Sequence, residues 1–193
     1  MQVTNGVYGR AVSFLESKSA VRVRHLDGNL LTHLKGTYDL LRGWGNPEFL
    51  CLAGLCHAAY GTDGFPTPLN DPARRSELGD VIGTRAEALV YFYASCDRAW
   101  VYPQVGREWP IRFRDRFSGE VFAPDNSLFF PFLELTFANE LEIVRGKPAL
   151  IKGTRRLFVD LFGRCKGMVS DAAYDYFVSV YGVATRRPAA SAP

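Results

Sequence analysis

From His25 to Thr62 the chain reads HLDGNLLTHLKGTYDLLRGWGNPEFLCLAGLCHAAYGT. Apolar residues recur there at helical spacing twice, on either side of a short break. Two such segments joined by so short a connection fold back on each other as neighbouring antiparallel helices. Asn29 is an N-cap, and Leu30 to Arg42 forms the first helix, with Leu30, Leu34, Thr37 and Leu41 on one face. Gly43 and Gly45 stop it. Asn46 caps the second helix and Pro47 occupies its first position. That helix carries Phe49, Leu52, Ala53, Cys56, His57 and Tyr60 and ends at Gly61. All three histidines of the protein, His25, His33 and His57, lie within this pair. His25 stands just before the first cap, while His33 and His57 can meet across the two helices.

The rest of the pattern is also helical. Residues 6–19 form a weaker helix. Asp71-Pro72 opens a short helix from Pro72 to Ile82. Thr84-Arg85-Ala86-Glu87 reads as a capping box for a buried helix from Arg85 to Arg98. Residues 109–122 break the helical period. Ile111 and Phe113 alternate with Arg112 and Arg114, and the chain turns at Ser118-Gly119, which reads as an inserted β-hairpin. Its aromatics, Trp109, Phe113, Phe117 and Phe122, suit either a lid over a pocket or a dimer contact. A long helix follows from Leu128 to Arg145, interrupted near its start by Pro131. Helices at 154–165 and 170–181, capped by Thr154 and Ser170, close the domain. The fold class expected is all-α: one helical domain over residues 1–185 with a small hairpin, and a disordered small-residue tail at 186–193.

Composition narrows the function classes. A hydrophobic fraction of 47% over 193 residues is enough for one sizeable core and excludes wholesale disorder. The net charge of +3 is weak. The arginines at 107, 112, 114 and 116 are interleaved with Asp115 and Glu120, as on the polar face of an amphipathic hairpin, so no nucleic-acid partner is expected. No apolar run is long enough to span a membrane, and the start lacks the features of a secretory signal. Cys51, Cys56, Cys96 and Cys165 form no CxxC pair and read as reduced, mostly buried thiols of a cytoplasmic protein.

Several polar residues fit a site. Two or three converging imidazoles can hold a metal, although no HExxH-type motif fixes them, and each histidine also fits a hydrogen-bonded core position. Asn139 lies mid-helix on the face of Phe132, Thr136 and Ile143, where a buried amide must be bonded or ligating. Glu140 and Glu142 flank it and are expected to be exposed. Arg74 and Arg75 fit either a phosphate or carboxylate site or a solvated face. Asp97 fits a histidine-orienting role or, more simply, a helix-end ion pair with an arginine.

In chain order these residues resemble the HD superfamily, and within it the ppGpp hydrolase domain of the RelA/SpoT type. His33 falls where the first metal histidine stands. LAGLCHAAYGT is similar to the "AALLHD" stretch with its following acidic pair, ELGDVIGTRAEALVYFYAS to the short helix, break and next helix, and LTFANELE to the helix that supplies the last ligand. The resemblance covers about residues 25–145. The finer pattern HLxGTYxLLxxWG…CLAGLxHxxYGT is similar to an uncharacterised bacterial family of HD-like proteins. Three positions depart from the motif. The His-Asp doublet is His57-Ala58, the acidic pair is Gly61-Thr62, and the last aspartate is Asn139. A hard divalent ion prefers carboxylate oxygen, so the branch's standard phosphohydrolase chemistry is not expected.

The resemblance implies a pocket, and three readings of it stand. In the first, His25, His33 and His57 hold one divalent ion (Fe, Mn or Zn) with Asn139 or Asp97 in support, and the protein is a small-molecule oxygenase or hydrolase. In the second no metal binds, and His33 and His57 act as acid and base, helped by Tyr60, Thr62 and Asn139. In the third the domain binds a ligand or partner without turnover. A small-molecule substrate and a possible homodimer complete the expectation.

Overall fold

A computed structural model describes residues 6–25 and 28–183. The tail expected at 186–193 lies outside the described residues. The architecture is all-α with two minimal antiparallel strand pairs. Helix α1 spans Val7–Ser17. Strands β1 (Arg24–His25) and β2 (Gly28–Asn29) pair with Arg24 opposite Asn29 and His25 opposite Gly28. Helices α2 (Leu30–Gly43) and α3 (Glu48–Cys56) form the expected pair. A 3₁₀ turn at Pro72–Arg74 runs into α4 (Arg75–Ile82), followed by α5 (Thr84–Ser95) and the one-turn α6 (Arg98–Val101). Strands β3 (Phe113–Arg114) and β4 (Val121–Phe122) precede α7 (Asn126–Val144), α8 (Pro148–Gly163) and α9 (Asp171–Tyr181). No helix among the described residues is long and apolar enough to cross a membrane.

Helix α7 is the axis of the molecule. It packs against α2, α3, α5, α8 and α9, and every residue from Phe132 to Leu141 is buried. That setting explains its near-continuous apolar sequence: a helix covered on all sides has no polar face to keep. Aromatic stacks tie the layers together, with ring centroids of Phe92 and Phe113, and of Phe137 and Phe162, each 4.0 Å apart.

The local chemistry sets the boundaries, in places differently from expectation. Asn29 caps α2 by accepting from the Thr32 N–H at 3.0 Å. Helix α3 ends at Cys56, not Gly61, so His57 and Tyr60 lie on the turn beyond it. There the Ala59 and Gly61 N–H groups bond only three residues back, and the Ala59 carbonyl turns away to accept from Leu69 and Asn70. Pro47 is the N-cap of α3 rather than its first residue. The capping box at Thr84 does not form: Gly83 is the N-cap, and Glu87 gives its carboxylate to Arg75 and Tyr60 instead. Helix α5 stops at Ser95 because Cys96 bridges to Asp115 and Asp97 caps α6, accepting from Trp100 N–H at 3.0 Å. Pro131 sits inside α7 without interrupting it. Near the helix start the proline removes only one backbone bond. Helix α8 starts at Pro148, so Thr154 is internal and its hydroxyl donates to the Leu150 carbonyl. Ser170 caps α9 as expected.

The hairpin is present but short. Phe113 pairs with Phe122 and Arg114 with Val121. Phe113 is buried against Phe92 and Phe132, while Trp109 and Phe117 are exposed. The hairpin is therefore pinned to α5 and α7. Of its arginines, Arg114 pairs with Asp97 and Arg116 donates to the Ala94 carbonyl; Arg107, just before it, pairs with Asp160.

Candidate functional site

The three histidines reach one cavity of about 240 Å³, whose wall also includes Asn139, Thr62 and Arg98. The fold brings them there by separate routes. The β1–β2 pair fixes His25 one step before the α2 cap. His33 is on the buried face of α2, one turn before Thr37. His57 follows α3 at the point where the helix gives way to a turn. Asn139 faces them from the middle of α7.

The hydrogen bonds define which ring nitrogens carry protons. His57 Nδ1 lies 2.8 Å from the Gly54 carbonyl, and His33 Nδ1 meets the Glu142 carboxylate. Both partners can only accept, so both Nδ1 atoms donate. The Nε2 atoms of the two rings face each other at 3.3 Å. Asn139 Oδ1 stands 3.0 Å from His33 Nε2. The amide orientation is fixed from behind, because Asn139 Nδ2 donates to Glu140 Oε1 at 3.0 Å. His33 Nε2 thus stands between His57 Nε2 and Asn139 Oδ1, within hydrogen-bonding distance of both.

Other groups reinforce this. Burial, and then the neighbouring His33, holds the His57 imidazole well below its usual pKa, so it stays neutral. Its ring meets the edge of Tyr93 at 5.5 Å. Arg98 donates to Glu140 Oε1 and to the Tyr93 hydroxyl, both at 3.1 Å. Burial works against the Arg98 charge, but Tyr102, Tyr93 and Glu140 around it hold its pKa above the ordinary guanidinium value. The loop that follows His57 is closed by a two-way bridge between Thr62 and Phe65. Gly61 permits that turn, with φ of +68° and room for no side chain against the Phe65 and Pro66 backbone.

His25 does not complete a three-histidine group. Among the described residues no three His, Cys, Asp or Glu side chains converge at ligand spacing. The His25 ring lies against His33, centroids 4.5 Å apart, and packs edge-on to Phe65. Its Nε2 is buried with no partner, and burial lowers its pKa. The polar set that meets in the cavity is His33, His57 and Asn139. The 3.3 and 3.0 Å separations from His33 Nε2 suit hydrogen bonds and equally the spacing of ligand atoms that share one metal at bonds of about 2.0–2.2 Å.

Thr62 is in the cavity wall, but the remaining expected site residues lie elsewhere. Tyr60 points away and donates to Glu87 at 2.9 Å. Burial, and then Glu87, pushes its phenol pKa up. Arg75 makes a two-pronged pair with Glu87 at 2.7 and 2.8 Å and covers the Tyr91 ring. Arg74 is exposed and pairs with Glu77. Asp97 pairs with Arg114 as it caps α6. These four build the scaffold. Conversely, Glu140 and Glu142 are not the exposed flank expected of them: Glu140 is buried and Glu142 is half-buried on His33. Arg98 and Phe65 are also site residues that spacing did not single out. For Arg98 the signal was present in part, since an arginine beside an N-cap aspartate at a helix break is held close to the core.

Residues 14–98, less than half of the chain, match a family described as a domain of unknown function, DUF6817. That match takes in α2, α3, His33 and His57. No curated protein and no solved structure matches the chain.

Proposed function

We propose that this chain is an HD-like small-molecule enzyme whose His33, His57 and Asn139 hold one divalent ion, Fe²⁺, Mn²⁺ or Zn²⁺. The observation that carries the reading is the meeting of His33, His57 and Asn139 in one cavity, with their outer atoms already committed to Glu142, Gly54 and Glu140. Partners on the far ring nitrogen are the usual means of aiming imidazole lone pairs at a metal. The order of the three groups along the chain also agrees with the HD-like reading. A bound ion would supply Lewis acidity and, if iron, redox chemistry, for hydrolysis or oxygenation of a small substrate. The chain's own groups do the rest. Arg98 presents positive charge to an anionic part of the substrate. His25 Nε2 offers an unsatisfied polar atom, and Phe65 and Thr62 close the wall. The four free, buried cysteines support a cytoplasmic setting.

A second reading is favoured by the absence, among the described residues, of a ligating carboxylate. The cation is then a proton shared by the two Nε2 atoms, with Glu142 orienting His33, and the pair acts as acid and base without metal. Elemental analysis of protein purified without a histidine tag separates the two. The metal reading expects close to one Fe, Mn or Zn per chain, lost in His57→Ala. Protein that is metal-free and takes up none of the three ions on reconstitution overturns it and leaves the acid–base pair.

A further inference from the structure

Positive charge is concentrated in one part of the chain. Residues 145–166, which take in the turn after α7, the whole of α8 and the residues just beyond it, hold seven lysines and arginines against one acid, Asp160, a net charge of +6. The whole chain carries only +3, so everything else is acidic on balance. Asp160 is itself shared by two arginines, Arg107 and Arg164. Arg145, Lys152 and Arg156 are exposed, and their side chains make no ion pair among the described residues.

Helix α8 has two faces. Phe158, Leu161 and Phe162 are buried, and Phe162 stacks on Phe137 of α7. Ala149, Lys152, Gly153, Arg156 and Leu157 recur at spacings of three and four residues and are all exposed, Leu157 by 58%. The helix's own stability does not call for this pattern. Lys152 and Arg156 are like charges one turn apart, and Arg145 and Lys147 precede the helix start, where its dipole disfavours cations. Gly153 weakens the helix interior, yet no neighbouring element comes within 4 Å of where its Cβ would stand, so packing inside the molecule does not require it. These residues together make an outward, cationic face, kept low by Ala149 and Gly153, with one apolar side chain projecting from it. That face is separate from the histidine pocket, whose lining includes no residue of α8.

We propose that α8 docks this protein onto an anionic phospholipid surface, with Arg145, Lys152 and Arg156 on the headgroups and Leu157 entering the boundary with the acyl chains. Clustered basic residues are drawn to anionic headgroups, and an exposed apolar side chain beside them gains by leaving water. A nucleic acid would satisfy the charge but give Leu157 no role, and the exposed face of α8 carries no aromatic, asparagine or glutamine to meet a base. The docking is peripheral, since no helix among the described residues is long and apolar enough to cross a membrane.

Co-sedimentation of the full chain with lipid vesicles tests this. Wild type is expected to sediment with phosphatidylcholine vesicles containing about one-third phosphatidylserine and not with phosphatidylcholine alone. It is expected to be released as salt rises towards 1 M, where charges are screened within about 3 Å. Lys152→Gln combined with Arg156→Gln is expected to weaken binding about 25-fold, roughly fivefold for each charge near the surface. Leu157→Gln is expected to weaken it as well but to keep the dependence on phosphatidylserine. Arg112→Gln, which removes an exposed arginine of the hairpin, is expected to bind as wild type does. The lipid and salt series need no variant, so a folding failure of any variant leaves them as the test. Failure to sediment with the mixed vesicles, equal sedimentation with phosphatidylcholine alone, or undiminished binding by the double variant would each overturn the proposal. Tighter binding to a DNA or RNA duplex in fluorescence anisotropy, lost in the same double variant, would overturn it too and give the face to nucleic acid.

Discussion

Replacing Asn139 with aspartate gives the site the carboxylate that an HD-like metal centre ordinarily carries, and its cost can be worked from the geometry. The Asn139 amide has two jobs. Its oxygen faces His33 Nε2 at 3.0 Å, and its Nδ2 donates to Glu140 Oε1 at 3.0 Å. In Asn139→Asp the second contact becomes two carboxylate oxygens at that distance. At an effective dielectric of about 20 the repulsion is roughly 5 kcal/mol, and the lost hydrogen bond adds about 1.5–3 kcal/mol. The introduced group can escape by taking a proton. Its unfolded pKa is near 3.9, so protonation at pH 7 costs about 4 kcal/mol, and that is the ceiling on the destabilisation. The sign follows. The folded pKa is raised, so the penalty is full near neutral pH and disappears as pH falls towards the unfolded value of about 4.

Urea unfolding of wild type and Asn139→Asp, in chelator and then in Mn²⁺ or Zn²⁺, reads out both halves of this argument. In chelator the variant is expected to lose about 3–4 kcal/mol at pH 7 and little at pH 4.5, from the protonation ceiling above. With metal, the added charge at a ligand position restores much of the loss, because an ion that binds only the folded state stabilises it. Unchanged stability at pH 7 in chelator would refute the placement of the amide between His33 and Glu140. A loss that no divalent ion repairs would refute the metal reading while leaving that placement intact.

The other predictions concern the supports of the site and its surroundings. Gly36 on α2 faces Glu142, and a Cβ there would lie 2.7 Å from Glu142 Oε1 and 2.9 Å from its Cγ. Gly36→Ala gains about 1 kcal/mol of helix propensity but pushes Glu142 off His33, so metal affinity in a chelator competition should fall by roughly 10–100-fold with global stability nearly unchanged. Glu87→Gln removes the charge opposite Arg75 and turns its second prong, at Oε2, into a non-accepting NH₂; since Arg75 is partly solvated, denaturant titration should show a loss of about 1–2 kcal/mol, with metal content unchanged. Burial pushes the Cys56 and Cys165 thiols up to about 12. Ellman's reagent should therefore leave both unmodified in native protein at pH 8 and react with all four cysteines once the chain is unfolded.

The parts of this molecule legible in the sequence are those set by local chemistry. Asn29 and Ser170 cap where their side chains reach a free N–H three residues on, and Gly43 and Gly45 mark the break that folds α3 back on α2. The meeting of His33 and His57 followed from that fold-back. The failures share a cause, which is competition from partners far along the chain. Glu87 has the spacing of a capping-box acid, but Arg75 and Tyr60 offer it stronger bonds. Tyr60 and His57 share an apparent helical run, yet the turn after Cys56 sends them to opposite sides. Glu140 and Glu142 look like solvated acids in sequence. They are held inside because α7 is surrounded, and Arg98, Asn139 and His33 give them partners. No spacing rule within one helix contains that information.

These partners also change how the departures from the HD motif are to be weighed. On the proposed HD-like reading, two ligand positions hold Ala58 and Asn139 in place of carboxylates. Two carboxylates nevertheless stand one bond further out: Glu142 behind His33, and Glu140 behind Asn139. An aspartate at 139 would collide electrostatically with Glu140, while an asparagine bonds to it and still turns an oxygen to the centre. The amide at 139 and the acid at 140 are therefore one arrangement. If the proposed ion binds, that arrangement would exchange inner negative charge for outer charge and neutral ligands, and would hold the ion less tightly than a carboxylate cage. Arg98 is bonded to the same Glu140 oxygen and competes for that outer charge. On this account Glu140→Gln, which removes the outer charge and keeps the shape, should weaken metal binding roughly 10–100-fold, and Arg98→Lys should shift it in the opposite direction by loosening the competitor for Glu140. Metal titrations in which both variants match wild type would mean that the outer carboxylate does not act on the centre at all.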